Sequence, residues 1–296
     1  MTITTLLLGD PSPSLRWRAA RELDGAPDDD AEVIAWRAEI DRSPEIAVLV
    51  KRLEAADTQP STAGYLLCQL AHLGYRGPAT KAAVEKLFAL QQPDGSWSTP
   101  GPIEGARFIT MHTVVPLRGI AAAGFATDPR AERAYEWLLS VRLPDGSWPS
   151  GPKSDPSPPE KPYRRLPNGL GCRSATTGAA ACLALHPEHH HSAPAQAAVN
   201  HLLARGSHDT STLGWETSRL LGLEPAKGQV TFYVTPDPAF HLDLASRCGI
   251  SPHTLTTHLE HLRGPYGLWQ HPTHPQLTGW LSLNLESSLR RLHDSD

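Results

Sequence analysis

Two stretches of this chain set ionisable side chains at the beginning of apolar, helix-patterned segments, where acid–base chemistry on a bound molecule would use them. "PIEGARFITMHTVVPL" carries Glu104, Arg107, His112 and Thr113, and "TPDPAFHLDLASRCG" carries Asp237, His241 and Asp243. Histidine and aspartate act as general base or acid once burial and neighbouring charges tune them. His112 and Asp243 are expected to transfer the proton, with Glu104, Arg107, Thr113 and His241 orienting them or the ligand. Tyr65, together with Tyr163 and Tyr233, offers aromatic faces that shield a cation. Each of these residues alone is more often a hydrogen-bonded structural group, because buried polar atoms need partners in any fold.

Metal chemistry finds less support. Cys68, Cys172, Cys182 and Cys248 are widely spaced and contain no Cys-x-x-Cys pair, so neither a disulfide framework nor a zinc knuckle is expected. The run "HPEHHHSAP" from His186 to Pro194 falls between helical segments and is expected to be an exposed connection. Asp28, Asp29 and Asp30 form the one acidic triplet. They directly precede "AEVIAWRAEI", where carboxylates cap the free N–H groups of a helix. No metal and no cofactor is implied.

The elements that must position these residues show in a repeat. "QQPDGSW", ending at Trp97, recurs as "VRLPDGSW", ending at Trp148, 51 residues later. A period of that size points to repeated supersecondary units. A helical pattern precedes each copy, with Ala83, Leu87 and Leu90 in the first and Ala134, Leu138 and Val141 in the second. Pro93 and Pro144 end those helices. After each turn runs a helix that is apolar on nearly all sides, at 110–125 and 174–186, whereas "PRAERAYEWLLS" alternates charge and apolarity like an outer layer. Further inner candidates are 61–74, "PAFHLDLASRCG" and "TGWLSLNLESSLRRL". About five inner helices therefore alternate with outer ones.

On these residues the chain resembles the squalene-hopene cyclase and protein prenyltransferase superfamily, whose repeats carry the QW motif. The first copy supplies Lys81, Ala82, Leu87, Gln91, Gly95 and Trp97, with Lys86 at the aromatic position. The second supplies Arg133, Ala134, Trp137, Leu138, Gly146 and Trp148, with Arg142 in place of glutamine. A third has Leu259, Gly267 and Trp269, with Arg263 in place of glutamine, and Gly214-Trp215 is a vestige. The resemblance, over Ser61 to Leu292, implies an all-α fold, an α/α toroid of helix pairs around a central cavity. The whole of 1–296 reads as one domain, with 1–60 forming HEAT-like helices that cap the ring and 61–296 forming the repeats. The Pro-rich segment 149–167 lengthens one connection.

The family's class II cyclases protonate an alkene or epoxide with an Asp-x-Asp-Asp acid, and no such motif occurs here. Nor does the Asp-Asp-x-x-Asp of magnesium-dependent synthases. The expected function is a cyclase or isomerase that binds an apolar polyene or related small molecule in the central cavity. The alternatives are a non-catalytic toroid holding a lipid, peptide or protein partner and, more narrowly, a zinc-dependent transferase. If alternate helices line the ring, residues near their starts converge on one mouth, bringing His112 towards Asp243. A formal net charge of −4, without a basic run, argues against nucleic acid and anionic membranes as partners. No stretch reaches the roughly 18 apolar residues of a membrane span, and the opening "MTITTLLLGD" does not read as a signal peptide. A cytoplasmic location is expected, and nothing bears on oligomeric state.

Overall fold

The computed structural model describes residues 2–56, 59–98, 109–151, 159, 164–167, 170–204, 210–224, 233 and 235–294. Their named elements are all helices, joined by turns and one isolated bridge between Arg165 and Cys172, and none of the described helices is long and apolar enough to cross a membrane. In chain order the helices are α1 (Ile3–Leu8), α2 (Pro13–Leu23), α3 (Ala31–Asp41), α4 (Pro44–Glu54), α5 (Pro60–His72), α6 (Pro78–Ala89) and α7 (Ile109–Ala122). Then follow α8 (Pro129–Ser140), α9 (Arg173–Leu183), α10 (Ala193–Leu203), α11 (Trp215–Leu220), α12 (Pro238–Arg247), α13 (His253–His261) and α14 (Thr278–His293). Proline opens many of them, as Pro13, Pro44, Pro60, Pro78, Pro129 and Pro238, where its fixed φ suits the first turn and its missing N–H costs nothing. Asp30 caps α3 by accepting the Glu32 and Val33 N–H groups, at 2.8 and 3.1 Å.

The three "x-x-Gly-x-Trp" turns share one construction. Trp97, Trp148 and Trp269 are fully buried. Their indole N–H groups donate to the carbonyls of Leu87, Leu138 and Leu259 at 2.8, 2.7 and 2.7 Å, ten residues earlier on the outer helix. Their backbone N–H groups donate to hydroxyls of the next inner helix, Thr113, Thr176 and Ser282, at 3.1, 3.0 and 2.9 Å. Each tryptophan thus ties an outer helix to the inner helix after it, filling the junction and satisfying both polar ends. The turn glycines take positive φ: Gly95 at 91°, Gly146 at 88° and Gly267 at 79°. Gln91 donates to the Gly95 and Arg130 carbonyls, both at 2.9 Å, and so ties its turn to α8. Arg263, at the third glutamine position, instead lies 4.3 Å over the Trp269 ring and reaches Glu286 at 2.9 Å. Gly214-Trp215 departs from this pattern. Gly214 keeps the positive φ, but Trp215 opens α11, and its indole N–H has no acceptor among the described residues.

α5, α7 and α9 form a buried inner row. Every residue of α9 is buried, and α5 packs most extensively against α7. That contact needs glycines, since a Cβ on Gly64 would lie 2.5 Å from the Val115 carbonyl oxygen, and one on Gly119 would lie 2.3 Å from that of Gly64. Beyond α9 the contacts run through α10 to α12, from α12 to α14, and from α14 to α2, while α11 touches both α5 and α12. Residues of α2, α5, α7, α11, α12 and α14, with Leu185 just after α9, surround one central cavity. The fold is an α/α toroid. α2 does more than the capping expected of residues 1–60, because Trp17, Arg18 and Glu22 form part of the cavity wall. The Pro-rich segment lies largely outside the described residues.

Candidate functional site: the central cavity

The cavity has a volume of about 300 Å³ and is lined by α2 from Trp17 to Glu22, by the C-terminal halves of α5 and α7, by α11, by much of α12 and by Asn284 of α14. Trp17, Ala71, Ala122, Leu185, Leu220 and Phe240 give it an apolar side. The other side is charged. Glu216 Oε1 lies 2.7 Å from Arg118 Nη1 and 2.5 Å from Arg219 Nη2, while Arg219 Nε donates to its other oxygen at 2.7 Å. Arg118 Nη1 also donates to the Tyr233 hydroxyl at 3.1 Å. Asp243 accepts from Arg247 Nε at 3.0 Å on both oxygens and from Arg291 Nη2 at 2.6 Å. Glu22 accepts from Arg18 at 2.6 and 3.0 Å and from the Ser287 hydroxyl at 2.9 Å. Buried charges persist only when paired in this way.

Asp237 occupies a different environment. It is 2% exposed, lines the cavity and caps two helices at once. Its Oδ1 accepts the Gly214 and Ala239 N–H groups, both at 3.0 Å, and its Oδ2 accepts that of Glu216 at 2.8 Å. Burial pushes its carboxyl up to about 6, against the pull of those N–H groups. Burial also acts on Asp243, but Arg247 and Arg291 outweigh it and hold that carboxyl at about 2. One wall therefore carries a carboxyl that titrates near neutrality and a second that stays anionic.

The expected site residues do not gather as one set. Asp243 lines the cavity, at the middle of α12. His112 sits half-buried on the first turns of α7, away from the Arg118–Ala122 end that faces the cavity. Thr113 is buried and is occupied by the Trp97 N–H. His241 is buried with Nδ1 unpartnered among the described residues, and burial, then Arg173, lowers its pKa to about 4. Tyr65 donates its hydroxyl to the Arg219 carbonyl, and the Arg219 guanidinium lies 4.9 Å over its ring. Glu104, Arg107 and Tyr163 lie outside the described residues. The cavity meets α12 from its start but sits at the ends of α5 and α7. There, free carbonyls favour cations, and Arg76 donates to the Ala122 carbonyl at 2.9 Å. Arg118, Glu216, Arg219 and Arg247 were not singled out from sequence, although a lone arginine inside the apolar α7 was a usable signal.

The histidine run is not simply an exposed connection, since His186 is buried. His186, His189 and Glu132 bring three donor atoms together. His186 Nδ1 accepts the Glu188 and His189 N–H groups at 3.1 and 3.2 Å. The ring proton therefore sits on Nε2, which donates to Glu132 at 3.0 Å. A metal on Nε2 would displace that proton while Nδ1 still faced two N–H donors, the reverse of the usual arrangement in which the second ring nitrogen donates. His271 in "HPTH" repeats this turn, with Nδ1 accepting from Thr273 and His274 at 3.3 and 3.1 Å. Its Nε2 proton thus points at the Gly214 carbonyl, 3.1 Å away, and at Ser218 Oγ, 2.8 Å away. That is the wrong tautomer for activating the serine.

Fold and site together define an all-helical toroid with a part-apolar, part-charged central cavity. No family model matches this chain, and no curated protein matches it. Among solved structures it is similar to two variants of the type II terpene cyclase MstE from Scytonema. One is in complex with geranylgeranyl dihydroxybenzoate, at 15% identity and a TM-score of 0.32. The other is in complex with merosterolic acid A, at 13% identity and a TM-score of 0.31. Each comparison covers 85% of this chain and 98% of the other. A likeness of this degree assigns neither a ligand nor a residue role.

Proposed function

We propose that the chain is an isomerase or cyclase in which Asp237 moves a proton on a small, largely apolar molecule held in the central cavity. The observation that carries this reading is the contrast between two carboxyls of one wall: Asp237, buried among backbone N–H groups with no ion pair among the described residues, and Asp243, clasped by Arg247 and Arg291, so that burial pushes the first up to about 6 while the arginines hold the second at about 2. Groups driven apart in this way take separate acid–base and electrostatic roles. Asp237 gives or takes the proton, while Asp243 stays ionised in its pairs with Arg247 and Arg291 and takes no part in the transfer. Trp17, Phe240 and the alanines supply the apolar surface against which the ligand body packs.

A carboxyl near 6 suits general acid–base catalysis around neutral pH. It is too weak an acid for an isolated alkene and matched to a proton shift at an oxygen or at carbon next to a carbonyl. In such a shift the Asp237 O–H bond breaks as the ligand gains the proton. The carboxylate left behind keeps its three N–H donors and later takes a proton from another ligand position, so no co-reactant is consumed. His112 has no part in this reading.

The test is solvent exchange in heavy water with a panel of isoprenoid polyenes and polyenones, read by mass spectrometry. Wild-type protein is expected to label at least one member. Asp237→Asn, checked for folding by its melt, labels it on the order of 100-fold more slowly or less. A wild-type protein that labels none, or a folded Asp237→Asn that labels at the wild-type rate, rules the reading out.

A further inference from the structure

Among the described residues, two side-chain polar groups on the wall of the central cavity are enclosed without a partner, the Trp17 indole Nε1 and the His72 ring Nε2. Both are donors. For tryptophan that follows from its chemistry, and for His72 it follows from Arg18, whose Nη1 lies 3.2 Å from His72 Nδ1 and can only donate. Nδ1 therefore accepts, and the ring proton sits on Nε2. Burial, followed by the charge of Arg18, pushes the His72 pKa well down, so the imidazole stays neutral. Arg18 is itself paired with Glu22 at 2.6 and 3.0 Å, and the His72 and Trp280 rings lie with their centroids 5.0 Å apart, so tautomer and ring are both held. The two donors belong to adjoining helices. Trp17 precedes Arg18 on α2, and a Cβ on Gly74, two residues after His72, would lie 2.7 Å from Trp17 Cε3.

We infer that the ligand of the central cavity carries an uncharged carbonyl group, its oxygen accepting from Trp17 Nε1 and His72 Nε2. An enclosed N–H without an acceptor lowers stability, and few such groups are left so in folded chains. A carbonyl oxygen supplies what the pair lacks, because it has two lone pairs and, unlike a hydroxyl, no proton that needs a third partner. Neutral donors suit a neutral acceptor, since no ion has then to be stripped of water. The inference rests on the proton shift proposed for Asp237 and names its substrate class, an enone with an apolar body. When the Asp237 carboxylate takes a proton from a carbon of the conjugated chain, the C–H electron pair moves into a carbon–carbon double bond and charge passes to the carbonyl oxygen. There the two N–H groups stabilise it. Return of the proton from Asp237 to another carbon of the chain restores the carbonyl, and neither N–H bond breaks.

The probes are pseudoionone, enriched with carbon-13 at its carbonyl, and the hydrocarbon that has a methylene in place of that carbonyl, each added to the intact chain. Isotope-edited infrared difference spectra are expected to show the carbonyl band of the bound ketone below its position in hexane. Ultrafiltration with gas chromatography is expected to show the ketone binding more tightly than the hydrocarbon. Trp17→Phe and His72→Phe each keep a ring in place and leave Arg18 paired with Glu22, so both are expected to fold, which their melts check. Each moves the band part of the way back and weakens the ketone about threefold to tenfold, as the loss of one hydrogen bond entails, with the hydrocarbon unchanged. Asp237→Asn leaves the band shifted, so the carbonyl site and the proton shift fail separately. A band at its hexane position, or one that neither folded Phe variant moves, overturns the carbonyl site and leaves the Asp237 reading standing. If neither probe binds wild type, or if both bind equally well once Ala122→Trp fills the cavity, both readings fall.

Discussion

Arg118 Nη1 lies 2.7 Å from Glu216 Oε1, and this contact joins the inner helix α7 to the short helix α11 through a carboxylate that also holds Arg219. Burial opposes ionisation of Glu216, yet Arg219 and then Arg118 outweigh it and keep its pKa below the ordinary value. Glu216 is therefore the hub of the network, and each arginine is a spoke.

Hub and spoke differ in what their loss leaves behind. Glu216→Gln strands two buried guanidiniums without a countercharge and should cost about 3–5 kcal/mol. Arg118→Gln leaves Glu216 paired with Arg219 and should cost about 1–3 kcal/mol. Urea denaturation of the two variants measures the difference, and equal costs would contradict the hub assignment.

The tryptophan junctions give a second ranking. Trp148→Ala empties a fully buried site and is expected to cost about 3–5 kcal/mol. Trp148→Phe keeps most of the volume but leaves the Leu138 carbonyl without its indole donor, for a cost of about 1–3 kcal/mol. Trp215→Phe has no such bond to lose and should be the mildest of the three. A melting-temperature series in any other order argues that the indole hydrogen bond is not what these positions require.

The junctions were legible in the sequence because they are local. Gly95, Gly146 and Gly267 sit at fixed offsets from their tryptophans, and a hydroxyl on the next helix completes each unit. The cavity was not legible, because its contacts join residues far apart in the chain, such as Arg118 with Glu216 and Asp243 with Arg291. Asp243 and Asp237 were both visible as ionisable groups on an inner helix. Their opposite environments arise from Arg291 on α14 and from the N–H groups of Gly214 and Glu216, which no local pattern announces. His112 was drawn in by the assumption that helix starts face the cavity. In α5 and α7 the ends do, whereas α12 meets the cavity from its start.

Asp237 also sets a pH dependence of stability whose sign is unusual for an aspartate. Its carboxyl titrates near 6 in the folded chain against an ordinary value of 3.8. Between those values the folded state holds a proton that the unfolded chain has released, so stability falls as pH rises through this window and levels off above about 6. At about 1.4 kcal/mol per pH unit across the window, the loss amounts to about 3 kcal/mol. Asp243 acts in the opposite sense and in a lower range. Its carboxyl is held at about 2, so the stability it contributes is present above 3.8 and is lost as pH falls towards 2. Between pH 4 and 6 the Asp237 effect is thus separable from that of Asp243. Urea denaturation of wild type and Asp237→Asn at half-unit steps over this range should show the wild-type excess over the variant shrinking by about 2 kcal/mol as pH rises, the remainder of the loss falling outside it. The slope is the readout, because the lost helix caps lower the variant at every pH alike. An excess that stays constant or grows would place the Asp237 pKa at or below its ordinary value and remove its claim to proton transfer near neutrality.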